Sequence, residues 1–317
     1  MSFKIISTGS YVPEKIVTNE DLEKILDTSS EWIIERTGIK ARHICTDETA
    51  EDMAVAAAKR ALDAADTKPE ELDFILCATV SPPYVCPNLA CLIQSGIGAD
   101  CPAMDIVAAC SGFPYMLDTA AGFFARGKVK KMLVVGAEQM SRVLDWTDRG
   151  TAVIFGDGAG ACVLEAGDNY LASHLWAKGD SDTIKIPTKI GISPFFTGKE
   201  DKPLVQMKGQ ETFKFAVSTM VSDIKKCISE AGIDEADVDH VIPHQANQRI
   251  IDAAIKRLKI PAGRYVINID RFGNTSAASI PIALDELNKS GKLMRGDIIV
   301  LSAFGGGLSS ASCVITW

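Results

Sequence analysis

The feature that most limits what this chain can become is a repeat of itself. "AVAAAKRALDAADTKPEELDFILCATV" (54–80) reads as a helix, an acidic turn and a strand, and "FKFAVSTMVSDIKKCISEAGIDEADVDHVIPH" (213–244) reads the same way. "AMDIVAACSGFPYMLDTAAGFFARGK" (103–128) runs from strand to helix to glycine, as does "YVINIDRFGNTSAASIPIALDELNKSGK" (265–292). "KMLVVGAE" (131–138) matches "DIIVLSAFGGG" (297–307), and "NLACLIQSGIG" (88–98) matches "NQRIIDAAIKRLKI" (247–260). Self-similarity of this length predicts two related units whose matching loops meet at one central place. The join falls in the polar, Gly/Pro-rich stretch 166–208 and divides the chain into halves 1–170 and 171–317.

Inside the halves, "DFILCATV" (73–80), "PAMDIVAAC" (102–110) and "AVIFGDGAGACVLE" (152–165) are apolar runs of strand length. "AEDMAVAAAKRALDAAD" (50–66) and "SGFPYMLDTAAGFFARGK" (111–128) place apolar residues at helical spacing. Continuous rather than alternating apolar strands belong to sheets covered on both faces, so the expected fold class is α/β and layered. With 317 residues, 47% of them hydrophobic, there is ample material for a core.

Charge and cysteine usage exclude several functions. A net charge of −8 argues against nucleic acid as the main ligand. No run approaches the roughly 18 apolar residues of a membrane span, and "MSFKIISTGSYVPEKIV" turns polar too soon for a secretory signal. Nine cysteines at irregular spacing, without a CxxC pair, speak against zinc or iron–sulfur sites and for reduced thiols in the cytoplasm.

Cys110 in "DIVAACSGF" is either a small buried thiol, like its eight companions, or a nucleophile. It stands between a strand and a helix, where free N–H groups and the positive end of the helix dipole favour a thiolate near neutral pH. Ala108, Ala109, Ser111 and Gly112 leave room for a substrate. Of four histidines, His43, His174 and His240 read as surface or structural residues. His244 in "VIPHQANQRI" is a helix cap or a neutral donor to an oxyanion. Asn274 in "RFGNTSAAS" is a turn residue or a second such donor, and the repeat superposes it on Cys110.

"FGGGLSSAS" (304–312) lacks the Lys-Ser/Thr of a phosphate loop, but its glycines leave backbone N–H groups accessible for an oxyanion hole. "FGDGAGA" (155–161) reads as a hairpin turn between strands. Arg249, Lys256, Arg257 and Lys259 crowd one helix against Asp252, with Lys214 nearby. Such a face is either merely solvated or the docking site of an acidic partner.

Together, "TSSEWIIERTGIKARH" (28–43), "DIVAACSGF", "DWTDRGTAVIFGDGAGA" (145–161), "MKGQETFKFAV" (207–217), "IPHQANQRI" (242–250), "FGNTSAAS" and "FGGGL" resemble the thiolase-type condensing enzymes. Within that class they resemble the β-ketoacyl-[acyl-carrier-protein] synthase III family, along the whole chain. The resemblance implies a thiolase-like α-β-α-β-α architecture of two duplicated halves, and a homodimer. It implies that Cys110 takes the acyl group of an acyl-CoA, acetyl or short and branched, as a thioester. Its own N–H and that of Gly306 would hold the oxyanion. His244 and Asn274 would then stabilise the enolate formed as malonyl-carrier protein loses carbon dioxide, with Phe304 beside the departing carboxylate. The product is a β-ketoacyl-carrier protein, the first condensation of fatty-acid synthesis.

Further implied roles are peripheral. Trp32 and Arg149 would sandwich the adenine of coenzyme A, with Thr28 and Arg36 near the nucleotide. Met207, Gly209, Phe213, Ala246 and Asn247 would line the pantetheine channel. Lys214, Arg249, Lys256 and Arg257 match the carrier-docking face. Where many members gate the acyl pocket with a bulky aromatic, this chain has Cys86. Coenzyme A enters as a substrate, and neither a separate cofactor nor a metal is expected. Thiolases use a second cysteine as base and hydroxymethylglutaryl synthases a glutamate, whereas "GNTS" offers two neutral donors with His244, which suits decarboxylation. Alternatives are a condensing enzyme of secondary metabolism using another acyl donor, a cysteine hydrolase of acyl thioesters, and a non-catalytic carrier-binding relative.

Overall fold

The computed structural model describes residues 2–188, 194–195, 197–198 and 201–317, so part of the 166–208 stretch lies outside the described residues. The first main sheet contains β1 (Ser2–Tyr11), β2 (Phe74–Ala78), β3 (Ala103–Ile106), β4 (Lys131–Gln139) and β5 (Asp157–Gly167), in the order β1-β5-β4-β2-β3. The second contains β6 (Tyr170–Asp180), β7 (His240–Pro243), β8 (Ile298–Gly305) and β9 (Gly307–Thr316), in the order β6-β9-β8-β7. In both sheets the first two pairings along that order are antiparallel and the rest parallel.

The principal helices are α1 (Ser30–Thr37), α2 (Ala50–Ala64), α3 (Leu89–Ile97), α4 (Gly112–Ala125), α5 (Gly209–Glu230), α6 (Gln248–Ile255) and α7 (Ser279–Lys289). Phe113 and Phe124 of α4 and Ile280 and Leu284 of α7 share one core with Leu76, Val134, Ile242 and Leu301 of both sheets. α4 and α7 therefore form the central layer. α2 and α3 cover the outer face of the first sheet, and α5 and α6 that of the second. The result is the five-layered α-β-α-β-α arrangement, in which the inner apolar strands β2, β4, β5, β8 and β9 are buried on both faces and the edge strands β3 and β6 are only partly covered.

Five local expectations require correction. The strand expected near 265 is reduced to a single bridge between Tyr265 and Val241. Asn268 and Arg271 both bond to Glu286 of α7, and the chain enters a short helix, Ile269–Phe272, instead of extending the sheet. The 152–165 strand begins only at Asp157, and "FGDGAGA" is no hairpin turn but the entry into β5. A Cβ on Gly160 would lie 2.7 Å from Pro281 of α7, so glycine there lets the central helix press against the strand. The 102–110 strand stops at Ile106, and the helix expected over 247–260 ends at Ile255.

The two halves also match in a different register. Leu76 pairs with Val134 and Ile242 with Leu301, and all four face the central layer. Ala109 at φ 48° opens a 3₁₀ turn before α4, and Ser276 at φ 49° opens one before α7. Non-glycine residues rarely hold such φ values, so these are corresponding points of one backbone design. They match Cys110 with Ala277. Asn274 lies three residues earlier and is not the counterpart of the cysteine.

Candidate active site

Cys110 sits in the turn Ala109–Ser111, immediately before α4. The first turn of α4 has no side-chain cap, so its N–H groups and dipole favour negative charge nearby. Burial acts in the opposite direction and dominates, pushing the thiol up to about 12, with the Ser276 hydroxyl opposing and the Glu138 carboxylate assisting. Burial thus favours the neutral thiol, against the pull of the helix end toward a thiolate. The strand β8 runs directly against this turn. A Cβ on Gly305 would lie 2.7 Å from the Cys110 amide nitrogen, so only glycine permits the approach.

His244 follows β7 and is not a helix cap: Asn247 caps α6, its side chain accepting the Arg249 N–H. The imidazole is buried, and burial lowers its pKa to about 3, so it is neutral. Nδ1 lies 2.7 Å from the Ser279 hydroxyl at the start of α7, whereas Nε2 has no partner among the described residues. The Phe304 ring stands edge-on to it, with centroids 5.4 Å apart. Asn274 is buried, and its Oδ1 accepts the Ser276 N–H at 2.8 Å. With the oxygen engaged, the carboxamide NH₂ is the end left for a ligand.

Cys110, His244, Asn274, Phe304 and Gly305 line one cavity of about 160 Å³. Met207, Gly209, Phe213, Ala246 and Asn247 line it as well. A larger cavity, about 560 Å³, adjoins Cys110 from the other side and is walled by Val80, Val107, Met140, Ile186 and Val205, with Gly306 at its edge. Cys110 thus stands where two spaces meet, one carrying polar donors and one mainly apolar. Cys86 is exposed and lines neither; Tyr84 and Val85 beside it line the larger.

Farther out, the Arg149 guanidinium lies 5.3 Å and that of Arg36 5.0 Å from the Trp32 ring centre. Both guanidiniums therefore lie within cation–π range of the indole. Thr28 keeps a buried hydroxyl without a partner. Lys214, Arg249, Lys256 and Arg257 are exposed, and none pairs with a carboxylate among the described residues. Arg249 packs over Phe213, at 5.5 Å, which joins this basic face to the smaller cavity.

Sequence reasoning missed Ser276, Ser279 and Glu138. The hydroxyls in "NTSAAS" and a glutamate closing the apolar run "LVVGAE" were the available signals. Among the described residues no group of three His, Cys, Asp or Glu is placed to hold a metal ion, and no helix is long and apolar enough to cross a membrane.

Two duplicated α/β halves closing on a half-buried cysteine and a buried histidine and asparagine define a thiolase-like condensing enzyme. Residues 104–179 match the model of 3-oxoacyl-[acyl-carrier-protein] synthase III, and residues 228–317 that of its C-terminal part. The chain is 48% identical to β-ketoacyl-[acyl-carrier-protein] synthase III of Clostridium acetobutylicum, over 100% of this chain and 99% of that one. It superposes on the crystal structure of 3-oxoacyl-[acyl-carrier-protein] synthase III from Aquifex aeolicus with TM-score 0.93 and 46% identity, covering 99% and 100% of the two chains. A priming β-ketosynthase of the R1128 polyketide pathway is similar at 33% identity and TM-score 0.92, over 99% of this chain and 96% of that one. The chain belongs to the β-ketoacyl-[acyl-carrier-protein] synthase III family, and is a condensing acyltransferase.

Proposed function

We infer that the protein joins an acyl-CoA primer to malonyl-acyl-carrier protein and releases carbon dioxide, starting fatty-acid synthesis through an acyl-Cys110 intermediate. The observation that carries this reading is the position of Cys110 between a cavity with two neutral donors and an apolar one.

In the first half-reaction the Cys110 sulfur attacks the thioester carbonyl. The N–H groups of Cys110 and Gly306 hold the tetrahedral oxyanion, and coenzyme A leaves as a thiol carrying the proton that the cysteine lost. In the second, the thioester carbonyl of malonyl-carrier protein receives hydrogen bonds from His244 Nε2 and the Asn274 NH₂. The tautomer is assigned on the neutral ring: the Ser279 hydroxyl donates to Nδ1, leaving the proton on Nε2. As carbon dioxide departs beside Phe304, these donors stabilise the enolate. Its carbon attacks the acyl-cysteine, and the expelled Cys110 thiolate takes one proton from solvent.

The apolar cavity holds the primer's tail, and the side chains of Val80, Met140, Ile186 and Val205 along it suit an alkyl group. Thr28, Trp32, Arg36 and Arg149 bind the nucleotide end of coenzyme A. Met207, Gly209, Phe213, Ala246 and Asn247 guide the pantetheine arm, and Lys214, Arg249, Lys256 and Arg257 receive the acidic carrier protein. Val85 and Val107, 93% and 77% exposed on the rim of the larger cavity, suit burial in a homodimer. Nine free cysteines suit the cytoplasm.

Intact-protein mass spectrometry with an acyl-CoA chain-length series tests the reading. A Cys110 adduct from acetyl or a longer acyl group supports it, and no adduct with any acyl-CoA contradicts it. Free acid released without malonyl-carrier protein would indicate a thioester hydrolase instead. A polyketide-priming role would appear as preference for an acyl donor foreign to fatty-acid synthesis.

A further inference from the structure

Glu138, at the end of β4, is a wholly buried carboxylate that the chemistry above does not use. No cation pairs with it among the described residues; neutral donors surround it instead. One oxygen accepts from the Ser81 hydroxyl at 2.5 Å, the Ser81 and Val80 N–H groups at 3.1 Å and the Thr79 hydroxyl at 3.3 Å. The other accepts from the Ser276 hydroxyl at 2.9 Å and the Ala277 N–H at 3.4 Å. The first set comes from the loop after β2, and Thr79 and Val80 wall the apolar cavity. The second set is the turn whose Ser276 N–H holds the Asn274 oxygen.

The position is informative because its counterpart in the second half is known. If Leu76–Val134 corresponds to Ile242–Leu301, then Glu138 corresponds to Gly305. Both lean on the turn of the opposite half: Gly305 on Ala109–Cys110, with no side chain, and Glu138 on Ser276–Ala277, with a carboxylate. A charge buried without a cation is expensive, and this one also opposes ionisation of Cys110. A gain elsewhere must offset it.

We propose that Glu138 is a positioning residue for the second half-reaction: it locks the Ser276–Ala277 turn and so aims the Asn274 carboxamide at malonyl-carrier protein. The inference rests on Asn274 acting in decarboxylation. The same carboxylate restrains the nucleophile, so its two effects have opposite signs and can be read separately. The other ionisable groups around Cys110 are the neutral His244, Asp105, whose oxygens accept the Leu89 and Ala90 N–H groups, and Lys185, paired with Asp201.

The test measures three rates in Glu138→Gln, Ser276→Ala and Asn274→Ala enzymes. These are alkylation of Cys110 by iodoacetamide from pH 6 to 9, its acylation by acyl-CoA, and carbon dioxide release from malonyl-carrier protein. E138Q removes the charge at constant volume. Alkylation at pH 7 should rise about tenfold for each pH unit by which the thiol falls, acylation should not slow, and carbon dioxide release should fall on the order of tenfold or more. S276A keeps the charge and breaks the link, so carbon dioxide release should fall with no gain in alkylation. If E138Q does not fold, S276A alone decides: unchanged carbon dioxide release overturns the proposal. Equal loss of acylation and carbon dioxide release in E138Q also overturns it, since a merely structural role would do that. Normal carbon dioxide release in N274A defeats the role assigned to Asn274. Loss there, with normal release in E138Q and S276A, defeats the role of Glu138 alone.

Discussion

The two halves share a backbone and differ in the side chains it carries, and the proposed chemistry divides between them accordingly. Gly112 opens the central helix of the first half, and a Cβ there would lie 2.9 Å from the methyl of Ala78. The corresponding pair in the second half is Ser279 and His244, in hydrogen-bond contact at 2.7 Å. Where the first half has two small apolar residues, the second has an oriented imidazole. The reverse holds in the turns: Cys110 in the first half faces Ala277 in the second. Each half thus carries one polar or sulfur group where the equivalent position of the other is small and apolar.

This division predicts that damage to the first half stops acyl transfer and damage to the second stops carbanion formation. Cys110→Ala should lose acyl-enzyme formation by a factor on the order of 10⁴ or more, measured by intact mass. His244→Ala and Asn274→Ala should each lower carbon dioxide release by ~10²–10³-fold while the acyl-cysteine still forms. A comparable loss of acylation would blur the boundary between the halves.

Gly305→Ala sharpens the comparison from the other side. Its Cβ would press on the Cys110 amide, costing about 1–3 kcal/mol of stability in a melting experiment. Acylation should suffer more than decarboxylation.

The pH dependence of the nucleophile follows from burial. With the thiol raised to about 12, the thiolate fraction is small at pH 7. Iodoacetamide alkylation of Cys110 should therefore grow about tenfold per pH unit from pH 7 to 9 without a plateau. A plateau by pH 8 would mean that the end of α4 outweighs desolvation. The smallest effect belongs to the surface: Arg249→Glu should raise the KM for carrier protein several-fold at low salt, less at high salt, and leave acyl-CoA use unchanged.

Much of the site was legible because the motifs stand at junctions that the repeat marks twice. "ACSGF", "PHQAN" and "FGNTS" carry side chains that line one cavity in the structure. The register between the halves was not legible. It depends on Ala109 and Ser276 adopting a left-handed conformation that neither residue type signals. The missing fifth strand of the second sheet was hidden because "YVINI" has strand composition, while the Glu286 contacts that draw the chain away come from a distant helix. The opposing pull on the Cys110 thiol was not legible, because a helix terminus can be read from sequence and desolvation cannot. Glu138 looked like the polar end of a strand, since nothing local shows that six donors from both halves surround it.

The most direct test of the division of labour is to mix Asn274→Ala enzyme with malonyl-carrier protein and an acyl-CoA that acylates the unaltered enzyme, and to weigh the intact protein. The account predicts full acylation on Cys110 that persists, with no β-ketoacyl product and no carbon dioxide released. Unmodified enzyme, or an acyl adduct consumed at the normal rate, would contradict it.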